Sequence, residues 1–431
     1  MSHALFSSFD IDAGTRLLLK EIAHEPGIVN AKRLLDAGCG TGIIGVCLAA
    51  SCPDMDVVMR DRDFRAVSFS ARNAARNGLA VELRGLGGAR LEPCRKRHFS
   101  KIKVAERNAV PMIAEAGLLC EPDGRGPYDV VLSNLPAKAG PLVLAQYFST
   151  VRAELLRDGG IFAFVIVTPL AEQARAWCAE AGFSLRRTVS TKNHMVAIAQ
   201  VPEGSSTASP GAASGRWFSR YVRSHVEKRI AGALLAWDGI QGLSEFDEPS
   251  YATTCALSLA RKVFAGLLVR RALVIEPGVG IAPLWVQTVL GPQEIVLKSH
   301  DTLALAASSH NLGHAGRHNA VLMLEPFFLQ AQLQAGQPSN RPSNAGLEYG
   351  GQLAPASTDA IILFLEDIPK FDIAAYYWPL ISKVLKRGGA AVITAESTQT
   401  ERVARQKPSG FSKSPFAEHK KGWDAIAFLR D

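Results

Sequence analysis

Three short stretches of this 431-residue chain carry residue types at spacings that could do chemistry. The first is Asp36-Ala37-Gly38-Cys39-Gly40-Thr41-Gly42, set directly between the apolar pair Leu34–Leu35 and an apolar helix start. Its alternating glycines let the backbone turn tightly and approach a ligand with no Cβ in the way. The second is Val57-Val58-Met59-Arg60-Asp61, one helix later, which reads as a strand ending in an acid. An acid at that point can accept both hydroxyls of a ribose. The third is Ser133-Asn134-Leu135-Pro136-Ala137, entered from the apolar strand Tyr128–Leu132. An Asn carbonyl and a neighbouring backbone carbonyl can accept both protons of an exocyclic amine, which aims the nitrogen lone pair at an electrophile. Proline stiffens the turn that presents them. The plain readings are a glycine-rich turn of any α/β protein and a polar residue that closes a strand.

The elements that must position these residues repeat along the chain. Phe9–Leu19 is answered by Phe246–Leu257, Arg33–Ile43 by Ala272–Ala282, and Val57–Asn73 by Ile295–Asn311. Tyr128–Pro136 is answered by Thr358–Glu366, Leu155–Val167 by Val384–Ala395, and Met195–Val201 by Trp423–Leu429. Six matched segments in one order indicate an internal duplication. Each copy alternates short β-branched apolar runs with stretches rich in Ala and Leu, the pattern of a mostly parallel sheet with helices on both faces. Between the copies, Glu203–Gly215 is small, polar and turn-rich, as a flexible linker is. The expected domains are therefore residues 1–203, a linker over 204–215, and residues 216–431. In the second copy the stretch Glu276-Pro277-Gly278-Val279-Gly280-Ile281-Ala282 aligns with Asp36–Gly42 by its leading acid, so Ala282 stands for the third glycine. Ser299 stands for Asp61, with Asp301 nearby, and Phe364, Leu365 and Glu366 stand for Asn134, Leu135 and Pro136. That copy is expected neither to bind a cofactor nor to catalyse.

The leading acid, Asp36, two residues before the first glycine, separates the loop from the Gly-x-Gly-x-x-Gly of nicotinamide enzymes. It resembles the loop of class I S-adenosylmethionine methyltransferases, and Asn134-Leu135-Pro136 resembles the Asn-Pro-Pro-aromatic motif of amino-methylating enzymes. From Phe6 to Val201 the chain is similar to the small-domain methyltransferases, and within them to the ribosomal-RNA guanine-N2 methyltransferases, through Asp12-Ala13-Gly14-Thr15, Asp36–Gly42, Asp61, Asn73, Gly78 and Asn134–Pro136. Those enzymes have two tandem methyltransferase-like domains, one of them degenerate. The resemblance implies two Rossmann-like α/β domains, the second degenerate, and S-adenosylmethionine as cofactor. It implies cofactor contacts at Asp36, Gly38, Gly40, Gly42 and Asp61, with Thr15 near the methionine end. Asn134, Leu135 and Pro136 then form the catalytic turn, with Asn134 orienting the amine. Three features depart from the pattern. Leu135 replaces the first proline and Ala137 the stacking aromatic, the intact copy comes first, and Gly85–Pro122 reads as an insertion over the adenine-contact region.

Composition bounds the rest. Net charge is +8, and Arg84–Arg107 concentrates eight basic residues against Glu92 and Glu106. A second basic stretch interleaves Arg216, Arg220, Arg223, Lys228 and Arg229 with Trp217, Phe218 and Tyr221. Such patches attract phosphate backbones, or else are a solvated loop and a solvated helix face. Seven cysteines without a Cys-x-x-Cys pair point to a reducing compartment and to no metal ribbon. The longest apolar runs are strand-length, and Met1–Asp12 lacks the pattern of an export signal, so the expectation is a cytoplasmic protein. The function favoured is methylation of an exocyclic amine of RNA, guanine N2 of ribosomal RNA above all. The alternatives are methylation of a protein glutamine amide, and a non-catalytic RNA-binding or assembly protein that keeps the cofactor.

Overall fold

The computed structural model describes residues 10–86, 90–91, 111–122, 125–204, 217–316, 320–324, 353–366, 368 and 371–431. Arg95, Lys96 and Arg97, the remaining basic residues through Arg107, and Ser205–Arg216 lie outside the described residues. Two compact units share the chain, with Tyr221 closing the first and Val222 opening the second.

In the first unit, Asp12 caps helix α1 (Ala13–Ile22) by accepting the Thr15 N–H. Thr15, Leu18 and Ile22 lie on one buried stripe of that helix. The sheet is built from β1 (Arg33–Ala37), β2 (Asp56–Asp61), β3 (Val81–Arg84), β4 (Arg90–Leu91), β5 (Met112–Ala116), β6 (Tyr128–Asn134), β7 (Leu156–Val167), β8 (Ser184–Ser190) and β9 (His194–Gln200). Their order is β4-β3-β5-β2-β1-β6-β7-β9-β8. From β5 through β7 all pairs are parallel, whereas β9 runs antiparallel to both β7 and β8. The central strands are buried on both faces, as in a sheet covered by helices. Phe148, Phe162 and Phe164 form an edge-packed core beneath β7, with ring centroids 4.9–5.1 Å apart. The chain leaves β1 toward β2 on one side and later returns as β6 on the other. The crevice at the carboxyl ends of β1 and β6 is therefore the topological switch point.

The second unit opens with an antiparallel hairpin, β10 (Val222–Ile230) and β11 (Ala233–Ile240). Its two-residue turn, Ala231–Gly232, takes positive φ at both positions, the geometry that matches strand twist. From Val222 on, the second basic stretch is thus a strand with alternating exposure and not a solvated helix face. The sheet uses β12 (Arg271–Ile275), β13 (Glu294–Ser299), β14 (Val321–Leu324), β15 (Thr358–Phe364), β16 (Leu385–Glu396), β17 (Phe411–Lys420) and β18 (Trp423–Arg430), in the order β14-β13-β12-β15-β16-β18-β17. That is the order of β5-β2-β1-β6-β7-β9-β8 in the first unit. Small polar details recur as well. Asp129 accepts the backbone N–H groups of Lys32 and Arg33, and Asp359 those of Arg270 and Arg271. Among the described residues no helix is long and apolar enough to cross a membrane.

Candidate functional site

At the end of β1 the chain turns through Gly38, Gly40 and Gly42 with φ of +71°, +55° and +78°. Hydrogen bonds pin this loop onto β2. Gly38 and Cys39 donate to the Arg60 carbonyl at 2.8 and 3.0 Å, and Gly40 donates to Asp61 Oδ2 at 2.9 Å. From helix α4 (Phe64–Arg76), Asn73 Nδ2 donates to the Thr41 carbonyl at 2.9 Å. The glycines differ in what a side chain would meet. A Cβ on Gly42 would stand 2.5 Å from Ser70 Cβ, so this glycine serves the packing of helix α3 (Ile43–Ser51) on α4. A Cβ on Gly40 would meet nothing within 4 Å and would project into the open crevice.

Asp36, fully buried, accepts the Gly45 N–H through Oδ2 at 2.9 Å, while its Oδ1 is buried without a partner. Burial pushes its carboxyl up to about 7, against the pull of the Gly45 N–H and with help from the charge of Asp61. Asp61 accepts from Gly40 N and, through Oδ1, from Asp63 N at 2.9 Å. Desolvation raises its carboxyl to about 6, with the N–H groups of Asp63 and Gly40 opposing. Two carboxylates poised near neutrality, one with an unsatisfied buried oxygen, suit a ligand that brings positive charge and hydroxyl donors.

Asn134 ends β6, two residues beyond Leu132, the register partner of Asp36 on β1. The preceding Ser133 ties the strands together by donating from Oγ to the Ala37 carbonyl at 2.7 Å. Asn134 Nδ2 donates to Asp12 Oδ1 at 3.2 Å, to Asp12 Oδ2 at 3.4 Å and to Thr15 Oγ1 at 3.0 Å. The Thr15 hydroxyl in turn donates to Asp12 Oδ2 at 2.6 Å. A carboxylate can only accept, so Asp12 fixes which end of the Asn134 amide faces it. Among the described residues no group donates to the side-chain oxygen of Asn134, Oδ1. Leu135 is buried and donates its N–H to Val165, and Pro136 is exposed at the turn.

The second unit shows how such a site is lost. Its Gly280 (φ +102°) precedes helix α8 (Ile281–Trp285) as Gly42 precedes α3, and its Cβ would meet Ser308 as that of Gly42 would meet Ser70. Glu276 takes φ +55° and donates its N–H to the Lys298 carbonyl, as Gly38 does to Arg60. The two loops therefore correspond through their glycines and not through Asp36 and Glu276. The third glycine survives as Gly280 and not as Ala282, Glu276 replaces Gly38, and Val274 occupies the strand position of Asp36. The Glu276 side chain accepts from Ser299 Oγ at 2.6 Å, His300 N at 3.2 Å and His300 Nδ1 at 3.0 Å. Asp301 instead caps helix α9 (Thr302–His314). Ser250 and Thr253 stand where Asp12 and Thr15 stand, and Phe364 ends β15 where Asn134 ends β6. A side chain in place of the first glycine, with Val274 and Ser299 at the positions of Asp36 and Asp61, does not fit the cofactor.

Sequence reasoning gave Asp12 no role, and missed the buried ion pair beside Asp61. Arg60 and Glu115, paired across β2 and β5, are held at 2.8 and 2.9 Å, with Arg125 on the second Glu115 oxygen. Their opposite charges on adjacent apolar strands were the available signal. Of the second basic stretch, Lys228 is paired with Glu248 and Arg223 stacks 3.7 Å from the Phe246 ring centroid. Tyr221 is buried, with Phe218 stacked on it and Trp217 edge-on, so these aromatics pack locally.

Residues 1–102 match the family model of the methyltransferase small domain. Over 79 residues the chain is 42% identical to a ribosomal RNA small subunit methyltransferase C of Stutzerimonas stutzeri, covering 18% of this chain and 23% of the relative. A ribosomal RNA large subunit methyltransferase G of Streptomyces avermitilis is 37% identical over 76 residues, 17% of this chain and 19% of the relative. The chain thus aligns with less than a quarter of the length of these curated relatives. A solved structure of a 16S rRNA guanine-N2 methyltransferase of T. thermophilus, in complex with AdoMet and guanosine, superimposes with a TM-score of 0.56 at 16% identity, covering 99% of this chain and 94% of that one. At that identity the likeness is one of fold, and it is the tandem Rossmann-like α/β methyltransferase fold.

Proposed function

We propose that this chain is an S-adenosylmethionine-dependent N-methyltransferase acting on an exocyclic amine of RNA, guanine N2 of ribosomal RNA being the favoured target. The observation that carries the reading is the Asn134 amide, whose nitrogen is held by Asp12 and Thr15 so that its oxygen is left for a substrate. The cofactor would be held by the Gly38–Gly42 loop, with Asp61 accepting the ribose hydroxyls and the unsatisfied Asp36 Oδ1 facing the methionine end. When bound, it supplies an electrophilic methyl group on a sulfonium that is already a good leaving group. The chain's own part is then positional. Asn134 Oδ1 and the Leu135 carbonyl accept the two amine protons and turn the lone pair toward the crevice. Pro136 restrains that turn. Thr15 acts through Asn134 and would lie near the methionine end of the cofactor.

An RNA substrate is supported by the net charge of +8 and by the basic insertion. The names of the ribosomal RNA methyltransferases that align with the amino-terminal segment agree with it. The shared strand order and the paired Asp129 and Asp359 clamps support a tandem duplication whose second copy is a scaffold. We place the protein in the cytoplasm on its cysteine pattern. The test is methyl transfer from labelled cofactor to total RNA and, separately, to ribosomal protein. Label in the RNA, recovered as N2-methylguanosine, is expected. Label in protein glutamine would overturn the substrate assignment, and no label in either would overturn the enzyme reading.

A further inference from the structure

The second unit carries a cluster of nitrogen and oxygen donors away from its lost cofactor loop. Asp238 lies on β11, directly opposite His225 on β10. His310 and His314, one turn apart on α9, share a helix face and meet Asp238 from the other side. Asp238 Oδ2 lies 2.7 Å from His310 Nε2 and 3.2 Å from His314 Nε2, and the two Nε2 atoms lie 3.2 Å apart. The other oxygen, Oδ1, is 2.5 Å from His225 Nδ1. The backbone beneath this cluster is held firmly. Buried Asn311 accepts the Asp238 N–H at 2.8 Å and donates to the Asp238 carbonyl at 3.0 Å, clamping the strand to the helix.

We propose that Asp238, His310 and His314 form a binding site for a divalent transition-metal ion, of which zinc is the best match. Three donors meet at a single point, and their mutual separations of 2.7–3.2 Å approach the ligand–ligand edge of roughly 3.3 Å that metal–nitrogen bonds of roughly 2.0–2.1 Å impose on a tetrahedron. Small ring rotations open the remaining gap, since the His310 and His314 side chains are 29% and 55% exposed. Two imidazoles and one carboxylate select zinc-like ions over calcium or magnesium, which prefer all-oxygen shells. A fourth position would be left to water. His225 donates to the carboxylate oxygen that does not ligate and so orients it. An ion here would clip the hairpin β10–β11 to α9, a structural role within a unit whose cofactor loop does not fit its ligand.

The experiment uses the full chain, free of any affinity tag and stripped with chelator, titrated with Co(II) and then with Zn(II). The expected result is one equivalent of Co(II) with the intense visible bands of tetrahedral coordination, displaced stoichiometrically by Zn(II), together with a higher Tm. His314→Ala, at the half-exposed last residue of its helix, should keep the fold by circular dichroism. It should lower the affinity at least about a hundredfold and abolish the Tm increment. His225→Ala, which alters only the orienting bond, should weaken binding by about 10–100-fold. Absence of stoichiometric binding overturns the proposal, and so does binding that His314→Ala leaves unchanged.

Discussion

Cofactor affinity should depend on pH in a way that the two raised carboxyls determine. With Asp36 near 7 and Asp61 near 6, the ligand-free site at pH 6 holds Asp36 mostly protonated and Asp61 half so. A ligand that brings a cation and hydroxyl donors binds the ionised forms, so binding drives proton release, about 1.4 protons at pH 6. Raising the pH from 6 to 7 increases the ionised fraction of Asp36 by about fivefold and that of Asp61 by about twofold. The product is roughly a tenfold gain in affinity, or about 1.4 kcal/mol. Titration calorimetry in two buffers of different protonation enthalpy reads both the affinity and the proton count. Asp36→Asn should cut the pH effect to about twofold, the part that belongs to Asp61. The opposite trend holds for the ligand-free fold. Both folded values lie above the unfolded one, so the stabilisation is complete below pH 4 and is lost as pH rises through 6 and 7, by up to about 4 kcal/mol for the fully buried Asp36. A wild-type affinity that stays flat between pH 6 and 7 would refute the reasoning.

The loop glycines should separate by function. Gly40→Ala places its Cβ in open space and should cost about 1 kcal/mol of stability from its left-handed backbone while sharply weakening cofactor binding. Gly42→Ala meets Ser70 at 2.5 Å and should lower the Tm by several degrees more, both changes being read by calorimetry. Arg60→Met leaves Glu115 buried with its main partner gone and should destabilise by about 3–5 kcal/mol in urea unfolding; a loss under 1 kcal/mol would show the pair to be dispensable. Asp12→Ala should cost about 1 kcal/mol through the lost helix cap and lower kcat more than cofactor affinity, because the Asn134 amide loses the acceptor that orients it.

What was legible in the sequence was local. Asp36–Gly42, Asp61 and Asn134 each announce themselves within a few residues, because a tight turn at a strand end needs particular residue types there. The link between Asp12 and Asn134 spans 122 residues, and nothing in local pattern connects an N-cap to a distant strand end. In the second copy's loop Glu276 matches Asp36 in charge, which sets a charge-based alignment two residues off the structural one. Its backbone angle and its bond to Lys298 show that it fills a glycine's place, and a positive φ at a glutamate is not a sequence signal. In β10 the charges masked the alternation. Every second residue from Arg223 to Arg229 is exposed, which is the period of a strand.

The central claim is that Asn134 orients the reacting amine and does not hold the cofactor. Its most direct test compares wild type and Asn134→Ala in two measurements on the same preparations, cofactor affinity by calorimetry and single-turnover methyl transfer to ribosomal RNA lacking the modification. The account predicts affinity within about twofold of wild type and transfer slowed by at least about a hundredfold. Normal transfer by Asn134→Ala, or a loss of activity fully explained by lost cofactor binding, would contradict it.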